Sequence, residues 1–271
     1  MTETGDKVND NVAQLLDVYA PARIAALVEN AGVRKAKLPL LQTVTLGVLA
    51  GAFIAFGAMF FTVTVTDSGL GYGPSRLLGG VAFSLGLILV VIAGAELFTG
   101  NNLIVMAWAD GKVSGAEVGR NWGLVFAANF VGALGAAVIV QLSGTLDGNV
   151  LATAVAIAQA KVELSFGEAF FRGVLCNALV CLAVWLSYAA HRVSGKILAI
   201  LFPISAFVAL GFEHCVANMY LIPVAMLAGA DGVTVNGFFA NLVPVTLGNV
   251  VGGSGLVALV YWVVYLRKEP E

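Results

Sequence analysis

Glu213, His214 and Asn218 stand close together in a stretch that is otherwise apolar, Phe207-Val-Ala-Leu-Gly-Phe-Glu-His-Cys-Val-Ala-Asn218. A glutamate can carry charge, an imidazole exchanges a proton near neutral pH, and an amide both donates and accepts hydrogen bonds. The surrounding run, Ile197 to Ala228, is longer than the roughly twenty residues that carry a helix across a bilayer. A titratable side chain at mid-membrane costs at least about 3 kcal/mol unless it faces protein or a water-filled cavity. The cluster therefore either lines a solute pathway or locks helices together. Burial lowers the basicity of an imidazole and a nearby anion raises it. An arriving anion could thus take a proton from His214; a neutral histidine bridging two helices is the alternative. His191, at a span end, has an interfacial position.

The same pattern occurs earlier in the chain. Gly94-x-Glu96-x4-Asn101 matches Gly211-x-Glu213-x4-Asn218. Gly47-Val-Leu-x-x-Ala52 matches Gly173-Val-Leu-x-x-Ala178, and Asn121-x7-Asn129-x-Val131-Gly132-x-x-Gly135 matches Asn241-x7-Asn249-x-Val251-Gly252-x-x-Gly255. Three matches in the same order indicate two repeats, 38–143 and 168–266. Glu96 and Glu213 are equivalent, and their expected role is to fix a helix break by accepting backbone N–H bonds. Thr99 could offer its hydroxyl to a solute or bond back to its own helix. Lys161, just before the second repeat, could concentrate anions at a mouth or simply flank its span.

The elements that must position these groups follow from composition. Hydrophobic residues make up 59% of the chain and charged residues 11%, against about a quarter charged in soluble domains. The reading is an all-α integral membrane protein with six spans, near 38–65, 77–109, 121–143, 168–190, 197–228 and 239–266. Three spans per repeat place the halves in opposite orientation, and a polar interruption in the second span of each predicts broken spans 2 and 5. Arg76, Lys161 and Arg172 fall on one side and the other 11 of the 14 Lys and Arg on the side of the termini, which predicts cytoplasmic termini. Residues 1–37 form an N-terminal amphipathic segment in which Leu15, Leu16, Tyr19, Ile24, Leu27 and Val28 line one side and Pro21 interrupts; residues 38–268 are the channel domain and 269–271 a tail. The start of the chain has no basic region leading into an apolar core, so no cleaved signal peptide is expected. A net charge of −2 argues against a nucleic-acid partner. Cys176, Cys181 and Cys215 have no zinc or redox spacing, and one deep histidine without further ligands suggests neither metal nor cofactor.

The chain resembles the formate/nitrite transporter family over residues 20–268. The resemblance is carried by Ala95-Glu-Leu-Phe-Thr-Gly100, Phe170-Phe-Arg-Gly-Val-Leu-Cys-Asn177, Gly211-Phe-Glu-His-Cys-Val-Ala-Asn-Met219 and Asn241-Leu-Val-Pro-Val-Thr-Leu-Gly-Asn249. It implies a homopentamer with one pore per protomer, an aquaporin-like outline and two apolar constrictions. By motif, Leu87 and Leu97 match the cytoplasmic constriction, and Phe83 and Phe207 the periplasmic one. Thr99 matches the gating loop and His214 the central histidine. Lys161, Asn177, Glu213, Asn218 and Asn249 match a polar network. Tyr220-Leu-Ile-Pro223 and Leu242-Val-Pro244 resemble the formate type; Cys215 departs from the serine of many members.

The expected function is a bidirectional, proton-linked pore for formate or a similar small anion in the inner membrane, and not an enzyme. A nitrite or hydrosulfide channel of the same family and a neutral-solute pore remain as alternatives. The neutral pore lacks support from any paired Asn-Pro-Ala motif.

Overall fold

A computed structural model describes residues 18–267. Leu15, Leu16, Lys7, Lys268 and the tail 269–271 lie outside the described residues. Those described form helices joined by short loops, with no strand and one isolated bridge between Val18 and Ala190.

Helix α1 spans Pro21–Ala36. Pro21 is its first residue, where a missing N–H costs nothing, so the proline starts the helix instead of interrupting one. Ile24, Ala25 and Val28 bury against Leu103, Met106 and Trp185. Next come α2 (Leu40–Val65) and α3 (Tyr72–Ile88), which runs on through a wide π-type turn to Gly94. Residues 95–99 are not helical. The chain resumes as a tight 3-10 turn, Gly100–Ile104, and α4 (Val105–Ala109). The first half closes with α5 (Gly115–Leu142).

The stretch between the repeats, for which the sequence predicts no element, folds into α6 (Gly148–Val162). The second half has α7 (Phe166–Ala189), α8 (Val193–Ala209), α9 (Cys215–Leu227) and α10 (Val235–Val250). Wide turns over Val251–Leu259 lead α10 into α11 (Val260–Tyr265).

Among the described residues five helices, Leu40–Val65, Tyr72–Gly94, Gly115–Leu142, Phe166–Ala189 and Val235–Tyr265, are long and apolar enough to cross a membrane. The stretch expected as span 5 is two shorter apolar helices, α8 and α9, parted by residues 210–214. Both breaks have the same backbone. Gly94 (φ +87°) and Gly211 (φ +73°) adopt a conformation that side-chain-bearing residues resist. Ala95 N–H bonds the Val90 carbonyl at 2.9 Å, and Phe212 N–H bonds that of Phe207 at 3.0 Å.

Glycines set the helix spacing. A Cβ on Gly132 of α5 would collide with the Val48 carbonyl of α2, and one on Gly252 with the Val174 carbonyl of α7. These are equivalent contacts in the two halves, and such small residues let backbones meet in lipid.

Candidate functional site

A broken helix leaves backbone N–H and C=O groups unpaired, and hydrocarbon offers them no partner. One asparagine per half supplies it. Asn249 on α10 donates to the Glu213 carbonyl (2.9 Å) and the Gly173 carbonyl (2.8 Å), and accepts from Cys215 N–H (2.9 Å). Asn129 on α5 donates to the carbonyls of Glu96 (2.9 Å) and Gly47 (2.7 Å), and accepts from Phe98 N–H (2.9 Å). Each side chain ties a break to two long helices.

The two glutamates have a different task from the one expected of them. Among the described residues neither carboxylate accepts a backbone N–H; each takes a lysine and an asparagine side chain instead. Glu213 accepts from Lys161 Nζ (2.8 Å) and Asn218 Nδ2 (2.6 Å). Glu96 accepts from Lys35 Nζ (2.6 Å) and Asn101 Nδ2 (2.7 Å). Asn218 donates further to Asn241, whose own amide donates to the Lys161 carbonyl. Asn101, Asn121 and the Lys35 carbonyl repeat that chain in the other half. A buried carboxylate must be paired and fully hydrogen-bonded to be tolerated, and both nets do this. Lys161, 14% exposed at its side chain, is thus a compensated charge and not a free cation at a mouth.

Lys35 was missed as a site residue. It stands 126 positions before Lys161, the same offset as Gly47 to Gly173, so the repeat pairs α1 with α6. The signal was present, but the matched text began only at Gly47.

Repeat equivalence also places Leu97 where the other half has His214: Glu96 and Glu213 differ by 117, and so do these two. His214 caps α9, with its Nδ1 accepting from Ala217 N–H at 3.1 Å. That bond assigns the ring proton of the neutral imidazole to Nε2. Nε2 lies 2.9 Å from Thr99 Oγ1 of the first break. The two interruptions therefore meet at one hydrogen bond, imidazole to hydroxyl.

A cavity of about 630 Å³ opens on one side of this meeting point, lined by Arg76, Lys161, Arg172, Glu213, His214 and the rings of Phe83 and Phe207. Those two rings pack edge to face at 5.5 Å, and Phe207 stacks on His214 at 6.0 Å. A second cavity, about 340 Å³, is lined by Lys35, Lys196, Leu87, Leu97, Glu96 and Asn101. Leu87 and Leu97 are 1% and 2% exposed, so little space connects that cavity to the centre.

The sequence-derived candidates thus divide. His214, Lys161, Glu213, Phe83 and Phe207 line one cavity, Leu87 and Leu97 the other, and Thr99 lies at the junction. Asn177, Asn218 and Asn249 line neither and are fully buried. Asn177 binds the Thr99 carbonyl (3.2 Å), Asn102 Oδ1 (2.8 Å) and the Asn249 carbonyl (2.7 Å), which places it as a brace between the breaks.

The profile of the family described as formate/nitrite transporter matches residues 22–263. A Bacillus subtilis transporter named YrhG is 46% identical over 92% of this chain and 94% of its own length. The formate channel FocA of Escherichia coli is 40% identical over 93% of this chain and 96% of its own. A solved structure described as a pentameric formate channel with formate bound superposes with a TM-score of 0.79, at 39% identity, covering 84% of this chain and 98% of that one.

Proposed function

The chain belongs to the formate/nitrite transporter family, and from that premise we propose that it is a pore for small monovalent anions, formate first. The carrying observation is the Thr99–His214 contact between two charged cavities, with apolar side chains on both sides of it. The names of the relatives support formate over nitrite or hydrosulfide. In this reading the chain crosses the inner membrane six times as an inverted repeat, α8 and α9 together forming the fifth crossing. Both termini face the cytoplasm. Five copies assemble, each with its own pore and an aquaporin-like outline.

A formate ion entering the larger cavity sheds water at the Phe83–Phe207 pair, then meets His214 Nε2–H. Burying a charge costs far more than burying a neutral acid. Desolvation raises the affinity of formate for a proton. In the proton-linked form, imidazolium gives up its Nε2–H, formate gains an O–H bond, and neutral acid passes the leucines.

The Ala217 N–H on Nδ1 favours a second form. A proton on Nδ1 would have to break that cap, so the neutral ring can instead act as a fixed donor from Nε2. His214→Asn separates the two. Asparagine is an effective N-cap and still donates, but it does not titrate. The proton-linked form predicts at least a tenfold loss of proton-coupled formate uptake into proteoliposomes, leaving a pH-insensitive leak. Unchanged rate, stoichiometry and pH profile would leave only the fixed-donor form. Wild-type vesicles passing glycerol but no formate, nitrite or hydrosulfide would refute the anion pore itself.

A further inference from the structure

The skeleton of the two halves is symmetric, but the charge lining the two cavities is not. Each cavity contains one lysine already neutralised by a glutamate, Lys35 by Glu96 and Lys161 by Glu213. The smaller cavity has one further cation, Lys196, whereas the larger has two arginines in addition. Arg172 stands where the other half has Leu46, 126 positions earlier, and Arg76 stands where the other half has Val193, 117 positions later. Neither arginine forms an ion pair among the described residues. The Arg172 side chain makes no hydrogen bond there either, and Glu168, one turn before it, is engaged in the Ser165 cap.

Arg76 is anchored without being neutralised. Its Nη2 donates to the Val208 carbonyl at 2.6 Å, and its guanidinium lies 5.7 Å from the centre of the Phe61 ring. Among the described residues its Nε is buried with no partner and its Nη1 makes no hydrogen bond. A guanidinium held in place with donor capacity left over is prepared for an acceptor from outside the chain. Two N–H groups in a rigid fork match the two oxygens of a carboxylate, which a lysine ammonium does not.

We propose that Arg76 and Arg172 form an anion-holding subsite in the larger cavity, outside the Phe83–Phe207 pair, for small planar oxoanions such as carboxylates. It rests on the anion-pore reading and adds a sidedness to it: the smaller cavity is lined by no arginine, and its further cation, Lys196, lacks the planar fork. The subsite concentrates substrate at the mouth opposite the described chain ends and selects planar oxoanions there over spherical ones of equal charge.

The test is formate flux through channels of known orientation in planar bilayers, with formate added to one face at a time. Arg172→Leu imports the residue of the other half; Arg76→Lys keeps the charge and removes the fork. The half-saturating formate concentration from the arginine side should rise about tenfold in each variant, the worth of one lost charge-assisted bond. From the opposite face it should stay at the wild-type value. In Arg76→Lys the preference for formate over chloride should narrow as well. Equal shifts from both faces, or no shift in assembled channels, would overturn the subsite while leaving the pore reading intact. A wild-type channel that carries no small anion would overturn both. If Arg76→Lys fails to assemble, Arg172→Leu decides alone, because its side chain makes no bond that the fold depends on.

Discussion

At the scale of single residues, the proposed pore makes side-chain size the test of what can pass. Phe83 and Phe207 are 4% and 3% exposed, yet both border the larger cavity. Their replacement by Ala enlarges an existing space, so the cost should fall near the low end of the usual range, about 3 kcal/mol each. The double variant, assembled and reconstituted, should carry formate faster and discriminate less against larger carboxylates such as acetate. Wild-type rates and selectivity in the double variant would remove these rings from the pathway. The pair entered the sequence reading through the family motif; that both rings border one cavity is what the structure adds. The Nδ1 cap on His214 was not legible, because it depends on where α9 begins.

At the scale of elements, each break persists because one amide satisfies two of its backbone groups and ties it to a neighbouring helix. Asn249→Ala strands Cys215 N–H and the Glu213 carbonyl and cuts the tie to Gly173; Asn129→Ala strands Phe98 N–H and the Glu96 carbonyl and cuts the tie to Gly47. Each change should cost at least about 2 kcal/mol, since each of the two unpaired buried groups costs roughly 1–3 kcal/mol. Thermal melts of the detergent-solubilised assembly would measure it, and a variant within a degree of wild type would contradict the clamp. The breaks themselves were visible in sequence through Gly94, Gly211 and the repeated Glu-x4-Asn spacing. The spacing Asn121-x7-Asn129 was visible as a repeat but silent about bonding. The role of α6 was hidden, because Gly148–Val162 resembles α1 mainly through a single lysine, and matching one residue proves nothing until both lysines are seen on their glutamates.

Across the whole molecule, distant parts of the chain are joined at the end that holds α1. Glu29 of α1 receives Lys112 Nζ at 2.6 Å; the same ammonium lies 3.0 Å from Asp110, which accepts from Trp262 Nε1 at 3.3 Å. Burial pushes the Glu29 carboxyl above the usual glutamate range, and the Lys112 contact partly counters this. A carboxyl raised in the folded state contributes stability below its unfolded pKa and loses it as pH climbs to the folded value. Lys112→Met removes the counterweight, so that loss extends to higher pH. The variant should be less stable by about 2 kcal/mol at neutral pH, less than a fully buried pair because Lys112 is half exposed. The gap to wild type should close as pH falls towards the ordinary glutamate range. A gap that stays constant with pH would show that Glu29 does not titrate there.

The exchange of His214 for Leu97 between otherwise matching halves has a consequence for energetics along the path. In the proposed pore, a solute coming from one face meets the imidazole first; from the other it meets leucine. The free-energy profile along the pore is therefore lopsided. Detailed balance forbids a passive pore from turning such a profile into net accumulation, so at vanishing concentration the two directional permeabilities must be equal. The asymmetry can express itself only when sites fill, as rectification of the current at high substrate.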